Sequence, residues 1–312
     1  MKGPSFYSKI LLFGEYGIIK DSKGLSIPYN FYNGGLKCDG NQSETAIESN
    51  RSLKGFSDYL RELQESQPEL VTFDLENLSE DIASGMYFDS SIPQGYGVGS
   101  SGALVAAIYD KYAQNKITVL ENLTREKLLK LKAIFGEMES FFHGKSSGLD
   151  PLNSYLSIPI LINSKDNIEP TGIPSQNKEG KNAVFLLDSG MTGETAPMVK
   201  IFMDKMKHEG FRAMIKNQFI KHTDACVEDF LKGDVKSLFG NLKQLSHVVL
   251  DNFKPMIPAQ FHKLWKKGIE TNEYYLKLCG SGGGGYILGF TEDIDKARAS
   301  LKDYKLEVVY NF

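Results

Sequence analysis

Pro93-Gln-Gly-Tyr-Gly-Val-Gly-Ser-Ser-Gly-Ala-Leu104 decides how the rest of this chain is read: glycines at alternate positions, then paired serines, then an apolar, alanine-rich run. Glycine turns the backbone through φ > 0 and brings its N–H groups up to an anion with no Cβ in the way. The run from Ala103 to Tyr109 reads as a helix, so the loop aims a helix N-terminus and several free N–H groups at one point. That point suits phosphate. A second reading is dinucleotide binding, since Gly97, Gly99 and Gly102 satisfy G-x-G-x-x-G. That fingerprint needs a helix, then a strand, then an acidic residue about twenty positions on. Polar Gln114-Asn-Lys116 and the short Ile117-Thr-Val-Leu120 make a poor second strand. A third reading, a glycine-rich turn that only caps a helix, stays open on this stretch alone.

At 312 residues the chain exceeds one typical domain, and two domains sharing a cleft are expected. A hydrophobic content of 41% and a charged content of 24% are ordinary for a globular protein. The net charge of −3 gives no global field for nucleic acid or an anionic membrane, so phosphate binding has to be local. Cys38, Cys226 and Cys279 are far apart and form no C-x-x-C pair, which argues against a disulfide framework or a zinc site. No apolar run reaches membrane-spanning length and no secretory leader is recognisable. A soluble, cytoplasmic protein is expected, with no nucleic-acid or membrane partner.

Working outward, Lys9 opens a short apolar strand that breaks at Gly14 and presents Glu15; solvated strand ends are the commoner reason for such a pair, but the turn that follows gathers the charged ends at one rim. Gly24–Tyr29 reads as the second strand of a hairpin, Gly55–Arg61 as an amphipathic helix, and Val71–Leu75 and Met86–Asp89 as strands. Thr124 is the expected N-cap of a long helix whose apolar face runs Leu128, Leu131, Phe135, Met138, Phe142. Glu139 borders that face, where a carboxylate is costly unless it meets a cation; Glu137 reads as its solvated neighbour. Gly144-Lys145-Ser146 invites a P-loop reading, but that motif requires glycine where Glu139 stands. Asp150 sits in a Gly-x-Asp-Pro turn, a position Asp also takes for ordinary hydrogen-bonding reasons. Lys165–Lys181 reads as an exposed connection. Beyond it come a strand at Ala183–Leu187, helices over Pro197–Phe230 and Val235–Asn252, and strands at Tyr274–Leu278 and Tyr286–Phe290 around Cys279-Gly-Ser-Gly-Gly-Gly-Gly285. A last helix, Ile294–Leu301, and a last strand, Leu306–Tyr310, end the chain.

Three pieces in this order, Lys9…Gly14-Glu15-Tyr16, Pro93…Gly97-x-Gly99-Ser-Ser101 and Cys279…Gly285, resemble the GHMP kinases. Glu139…His143-Gly144-x-x-Ser147-Gly148-x-Asp150 is similar to the mevalonate kinases among them. The resemblance implies a two-domain α+β fold, with an N-terminal ATP-binding domain (1–178) resembling ribosomal protein S5 domain 2 and a ferredoxin-like C-terminal domain (179–312). It implies ATP held by Pro93, Gly95, Gly97, Val98, Gly99, Ser100, Ser101 and Gly102. Mg²⁺ would fall to Ser101 and Glu139, hard oxygen donors as that ion prefers. Asp150 would take the proton of the acceptor hydroxyl, and Lys9 would keep that carboxylate ionised. Glu15, Tyr16, His143, Thr195, Gly282 and Gly283 would face the substrate, Thr195 through Thr192-Gly-Glu-Thr195-x-x-Met-Val199, and the late glycine run would support the phosphate loop. The chain departs from the pattern in carrying Gly102 for the usual Ala, Tyr16 for His, and Lys145-Ser146 for Asn-Pro or Thr-Pro; Gly-Glu-Tyr is also found in phosphomevalonate kinases. The expected reaction is ATP-dependent phosphorylation of mevalonate's 5-hydroxyl by a monomer or homodimer. The alternatives are phosphomevalonate kinase, another small-molecule kinase of the family, and a catalytically silent member that binds nucleotide or metabolite.

Overall fold

The computed structural model describes residues 4–118, 123–177 and 179–312. Val119 and Leu120 of the short apolar run, and the division at 178, lie outside the described residues. The chain forms two compact units interleaved along the sequence: Met1–Lys9, Pro28–Pro93 and Gly99–Ile158 make the first, and Ile10–Ile27, Gln94–Val98 and Pro159–Phe312 the second.

The first unit takes the start of strand β1 (Phe6–Phe13) and most of β2 (Gly24–Lys37), its neighbour in the sheet. Next come helix α1 (Glu44–Ser66), β3 (Thr72–Phe73), α2 (Leu75–Ala83) and β4 (Tyr87–Ser90). The unit is completed by α3 (Ser100–Tyr112), β5 (Ala113–Gln114), α4 (Arg125–His143) and α5 (Leu149–Leu156). β4 pairs antiparallel with the end of β2, Gly34 opposite Ser90 and Lys37 opposite Tyr87. The amphipathic helix is much longer than Gly55–Arg61: Ser43 caps α1 by accepting from the Ala46 N–H, and Leu53, Phe56, Leu60 and Leu63 form its buried stripe. The strand at Val71–Leu75 shrinks to two residues because Asp74 accepts from the Asn77 N–H and starts α2 there, a capping bond that outweighs the alternating pattern. Thr124 caps α4 as expected, accepting from the Lys127 N–H. Asp150 is not in a free-standing turn. It lies in the first turn of α5, where a carboxylate is favoured and Pro151 is tolerated.

The second unit builds its sheet from β8 (Ala183–Asp188), β9 (Tyr275–Leu278), β10 (Tyr286–Thr291) and β11 (Leu306–Asn311), in the order β11-β8-β10-β9 with every neighbour antiparallel. Numbered within the unit this is the 4-1-3-2 order of a ferredoxin-like sheet. Ahead of it, β6 (Ile160–Ser164) pairs with Gly24–Ser26 of β2 and with β7 (Asn167–Pro170). The polar connection therefore contains a strand that its Pro and Gly content concealed. Helices α6 (Thr195–Lys205), α7 (Glu209–Met214), α8 (Ile220–Lys232), α9 (Val235–Asn252) and α10 (His262–Thr271) fill the β8–β9 crossover, and α11 (Ile294–Ser300) joins β10 to β11. The sheet and helix core holds Phe185, Phe202, Phe230, Phe253, Trp265 and Phe290, all fully buried. Among the described residues no helix is long and apolar enough to cross a membrane.

Candidate active site

In the first unit, Lys9 ends its stretch of β1 with only 4% of its side chain exposed, and its Nζ lies 2.8 Å from Asp150 Oδ1. Asp150 keeps 38% of its side chain open, so the cation is hidden and the carboxylate can be reached. The solvated-end reading of Lys9 fails because the strand places it beside a partner brought by α5. Helix α3 starts against both. Gly99, its N-cap, has φ +83°, and a Cβ there would meet Lys9 Cγ at 3.0 Å. At Gly102 a Cβ would lie 2.8 Å from the carbonyl carbon of Asp150 and from Pro151 N, closer than such atoms approach. The Gly102 departure thus has a steric reason: the first turn of α3 rests directly on the backbone that carries Asp150. The first intrahelical bond of α3 runs from the Ala103 N–H to Gly99 O, 3.1 Å. The N–H groups of Ser100, Ser101 and Gly102 precede it and have no acceptor within the helix.

In the same first turn of α3, Ser101 Oγ donates to Glu139 Oε1 at 2.9 Å and lies 3.0 Å from His143 Nε2. Ser146 Oγ donates to Glu139 Oε2 at 2.5 Å. Glu139 is 3% exposed. Burial pushes its carboxyl well above the usual range and the Asp150 charge adds to this, against the pull of the two serines and Lys9. Burial lowers the His143 imidazole, with the Asp150 charge opposing. His143, expected among the substrate-facing residues, is therefore held against the Ser101–Glu139 pair. Among the described residues no group of three or more His, Cys, Asp or Glu side chains is set to hold a metal ion. A hydroxyl and a carboxylate are nonetheless the donor chemistry of Mg²⁺, which keeps several waters and takes few protein ligands.

Glu139→Gln is expected to separate stability from turnover. With its pKa raised in the folded state, Glu139 binds its proton more tightly there than in the unfolded chain. Stability is therefore lost as pH rises from the ordinary carboxylate range through the raised value. The Gln variant lacks this loss, so metal-free melting curves in acidic and neutral buffers should differ less for it than for wild type or Glu137→Gln. Its Mg²⁺-dependent turnover should fall far below that of Glu137→Gln. Equal behaviour of the two variants removes Glu139 as a candidate metal ligand.

In the second unit, Glu15 and Lys277 form a buried ion pair at 2.5 Å, each with about a twentieth of its side chain exposed, and Lys277 also donates to Leu278 O at 3.0 Å. Lys277 escaped sequence reasoning, although a lysine inside the wholly buried strand β9 signals a buried partner. Tyr16 follows at φ +60°, stacks on Phe202 at 4.7 Å, and donates its hydroxyl to Ser281 O at 2.7 Å. Burial and the Glu15 charge push the Tyr16 phenol up, so it stays a donor. Ser281 Oγ reaches the exposed Thr195 Oγ1 at 3.4 Å, Gly283 N–H donates to Met256 O at 2.7 Å, and Gly282 is buried. Residues 94–98 pack here too. A Cβ on Gly97 would meet Cys279 O at 2.7 Å, and Gly95 O accepts from the Gly193 N–H at 2.8 Å. Val98 is buried and Pro93 and Ser100 are half-buried. The late glycine run is a packed support for this half of the loop, not a flexible linker. Glu15 and Tyr16 point their polar atoms at protein partners.

Residues 62–157 match the family model "GHMP kinases N terminal domain". The chain matches none of the curated proteins at a significant level. Among solved structures, L. major mevalonate kinase in complex with R-mevalonate is 17% identical, with 96% of this chain and 91% of that one covered at a TM-score of 0.62. Streptococcus pneumoniae phosphomevalonate kinase in complex with phosphomevalonate and AMPPNP is 12% identical, with 99% and 98% covered and a TM-score of 0.61. Lactococcus lactis galactokinase complexed with galactose is 13% identical, with 98% and 93% covered and a TM-score of 0.60. Residues 62–157 thus match the N-terminal domain of the GHMP kinases, and the α+β fold is shared with these kinases along nearly the whole chain.

Proposed function

We propose that this chain is an ATP-dependent small-molecule kinase that phosphorylates the 5-hydroxyl of mevalonate, with residues 1–178 as its ATP-binding domain and 179–312 as its C-terminal domain. The observation that carries the reading is Lys9 Nζ at 2.8 Å from Asp150 Oδ1 beneath the first turn of α3. One carboxylate oxygen is held by the cation and the other is left to accept the acceptor's proton, within reach of N–H groups suited to phosphate. Lys9 favours the charge that develops on the attacking oxygen. Ser101 and Glu139 would hold Mg²⁺, whose chemistry there would be to offset phosphate charge. The buried Lys9 beside an open Asp150 speaks against a catalytically silent protein.

Gly14-Glu15-Tyr16 favours phosphomevalonate as a second reading, and the fold is shared with a phosphomevalonate kinase as well. A coupled ATPase assay over mevalonate, phosphomevalonate, homoserine and galactose decides: turnover with mevalonate above the rest is expected, and a preference for phosphomevalonate replaces the first reading with the second. Calorimetric titration with Mg·ATP and with NAD should give binding for the first alone. Tight NAD binding with none for ATP would sink the kinase reading.

A further inference from the structure

We infer that Ser146 is a positioning residue that fixes Glu139 as a one-oxygen metal ligand and so sets the preference for Mg²⁺ over a larger cation. The inference rests on the kinase reading above. Ser146 Oγ accepts from the Gly148 N–H at 3.1 Å, which leaves its own proton directed at Glu139 Oε2, 2.5 Å away. Its backbone is pinned in turn: the Ser146 N–H donates to Ser140 Oγ at 3.2 Å, and Ser140 Oγ donates to Gly136 O at 2.7 Å, both on the helix that carries Glu139. The serine is thus referenced to α4 itself. With Oε2 held by Ser146, only Oε1 faces Ser101 Oγ, 2.9 Å away. The carboxylate plane is fixed, and a metal between Glu139 and Ser101 meets a single carboxylate oxygen.

That geometry discriminates between ions. Mg²⁺ demands a compact octahedron and accepts one oxygen per carboxylate, whereas Ca²⁺ takes more ligands in looser geometry and readily binds both oxygens of a carboxylate. Freeing Oε2 lets the carboxylate rotate toward two-oxygen ligation, so Mg²⁺ loses more than Ca²⁺. Removing a residue that orients a metal ligand typically lowers metal affinity by about 10–100-fold.

The test compares Ser146→Thr with Ser146→Val, a pair matched in size that differs in the hydroxyl, alongside Ser146→Ala. Affinities for Mg·AMPPNP and Ca·AMPPNP are measured by calorimetry on folded protein, with melting temperature recorded for each variant. Thr should stay near wild type. Val and Ala should bind Mg·AMPPNP about tenfold or more weaker, with a smaller change for Ca·AMPPNP. Equal binding by Thr and Val, or equal losses for both metals, overturns the inference. So does a variant that melts lower yet keeps its metal preference, since Ser146 would then serve only the loop. If Ser146→Ala does not fold, the Thr and Val pair still decides. Failure of the wild-type protein to bind either metal–nucleotide complex would instead overturn the kinase reading.

Discussion

Asp150→Asn is expected to lower turnover by about 10²–10⁴-fold, the range for loss of a general base, while nucleotide affinity survives. The amide keeps the size of the side chain and an oxygen to accept from Lys9 Nζ, now 2.8 Å from Oδ1. Its place in the first turn of α5 and the backbone contact with Gly102 are unchanged. What it loses is the capacity to take a proton. Lys9→Met should slow turnover too. Because the two side chains act as one pair, the double variant should be little slower than the worse single variant, since residues acting as a unit are not additive. The measurement is turnover per folded molecule, with ATP affinity on the same sample. Retention of more than about a tenth of wild-type turnover, under the tenfold that 1.36 kcal/mol represents, rules Asp150 out as the base and leaves positioning and charge stabilisation to carry the reaction.

Lys277→Met should destabilise the second unit by about 3–5 kcal/mol, because it removes the cation paired with the buried Glu15 carboxylate. Glu15 and Lys277 are 6% and 5% exposed and lie 262 positions apart in sequence, so water cannot replace the lost partner. The double variant Lys277→Met with Glu15→Gln should recover most of the loss, as exchange of a buried pair for uncharged groups of similar volume often does. Urea unfolding midpoints for the four proteins of the cycle provide the check. An unfolding midpoint for Lys277→Met close to wild type, or a double variant no more stable than the single, excludes a buried pair in the folded protein.

Much of the local architecture was legible in the chain. Thr124 capping α4, the stripe from Leu128 to Met138, and the helix after Ser100 follow from hydrogen-bond and periodicity rules that act over a few residues. The failures were local competitions decided by partners. Val71–Leu75 alternates as a strand does, yet the Asp74 cap ends it. Asn167–Pro170 has poor strand composition, yet pairing with β6 makes it one. Glu15 reads from the sequence as a strand-end charge or a substrate-facing one, and nothing near it points to Lys277, which sits in a strand whose own residues carry no sign of which carboxylate it meets. Ser146 gave no signal beyond its departure from the family pattern.

Side-chain type and near neighbours reveal which residues carry charge next to apolar runs, where helices can start, and which glycines let the loop before α3 turn. Which charges are paired depends on the fold. Lys9 with Asp150, Ser101 and Ser146 with Glu139, and Glu15 with Lys277 are matched by packing. A buried charge must find a partner wherever the fold brings one, and the energy that enforces this depends on distance and desolvation, which no spacing along the chain records.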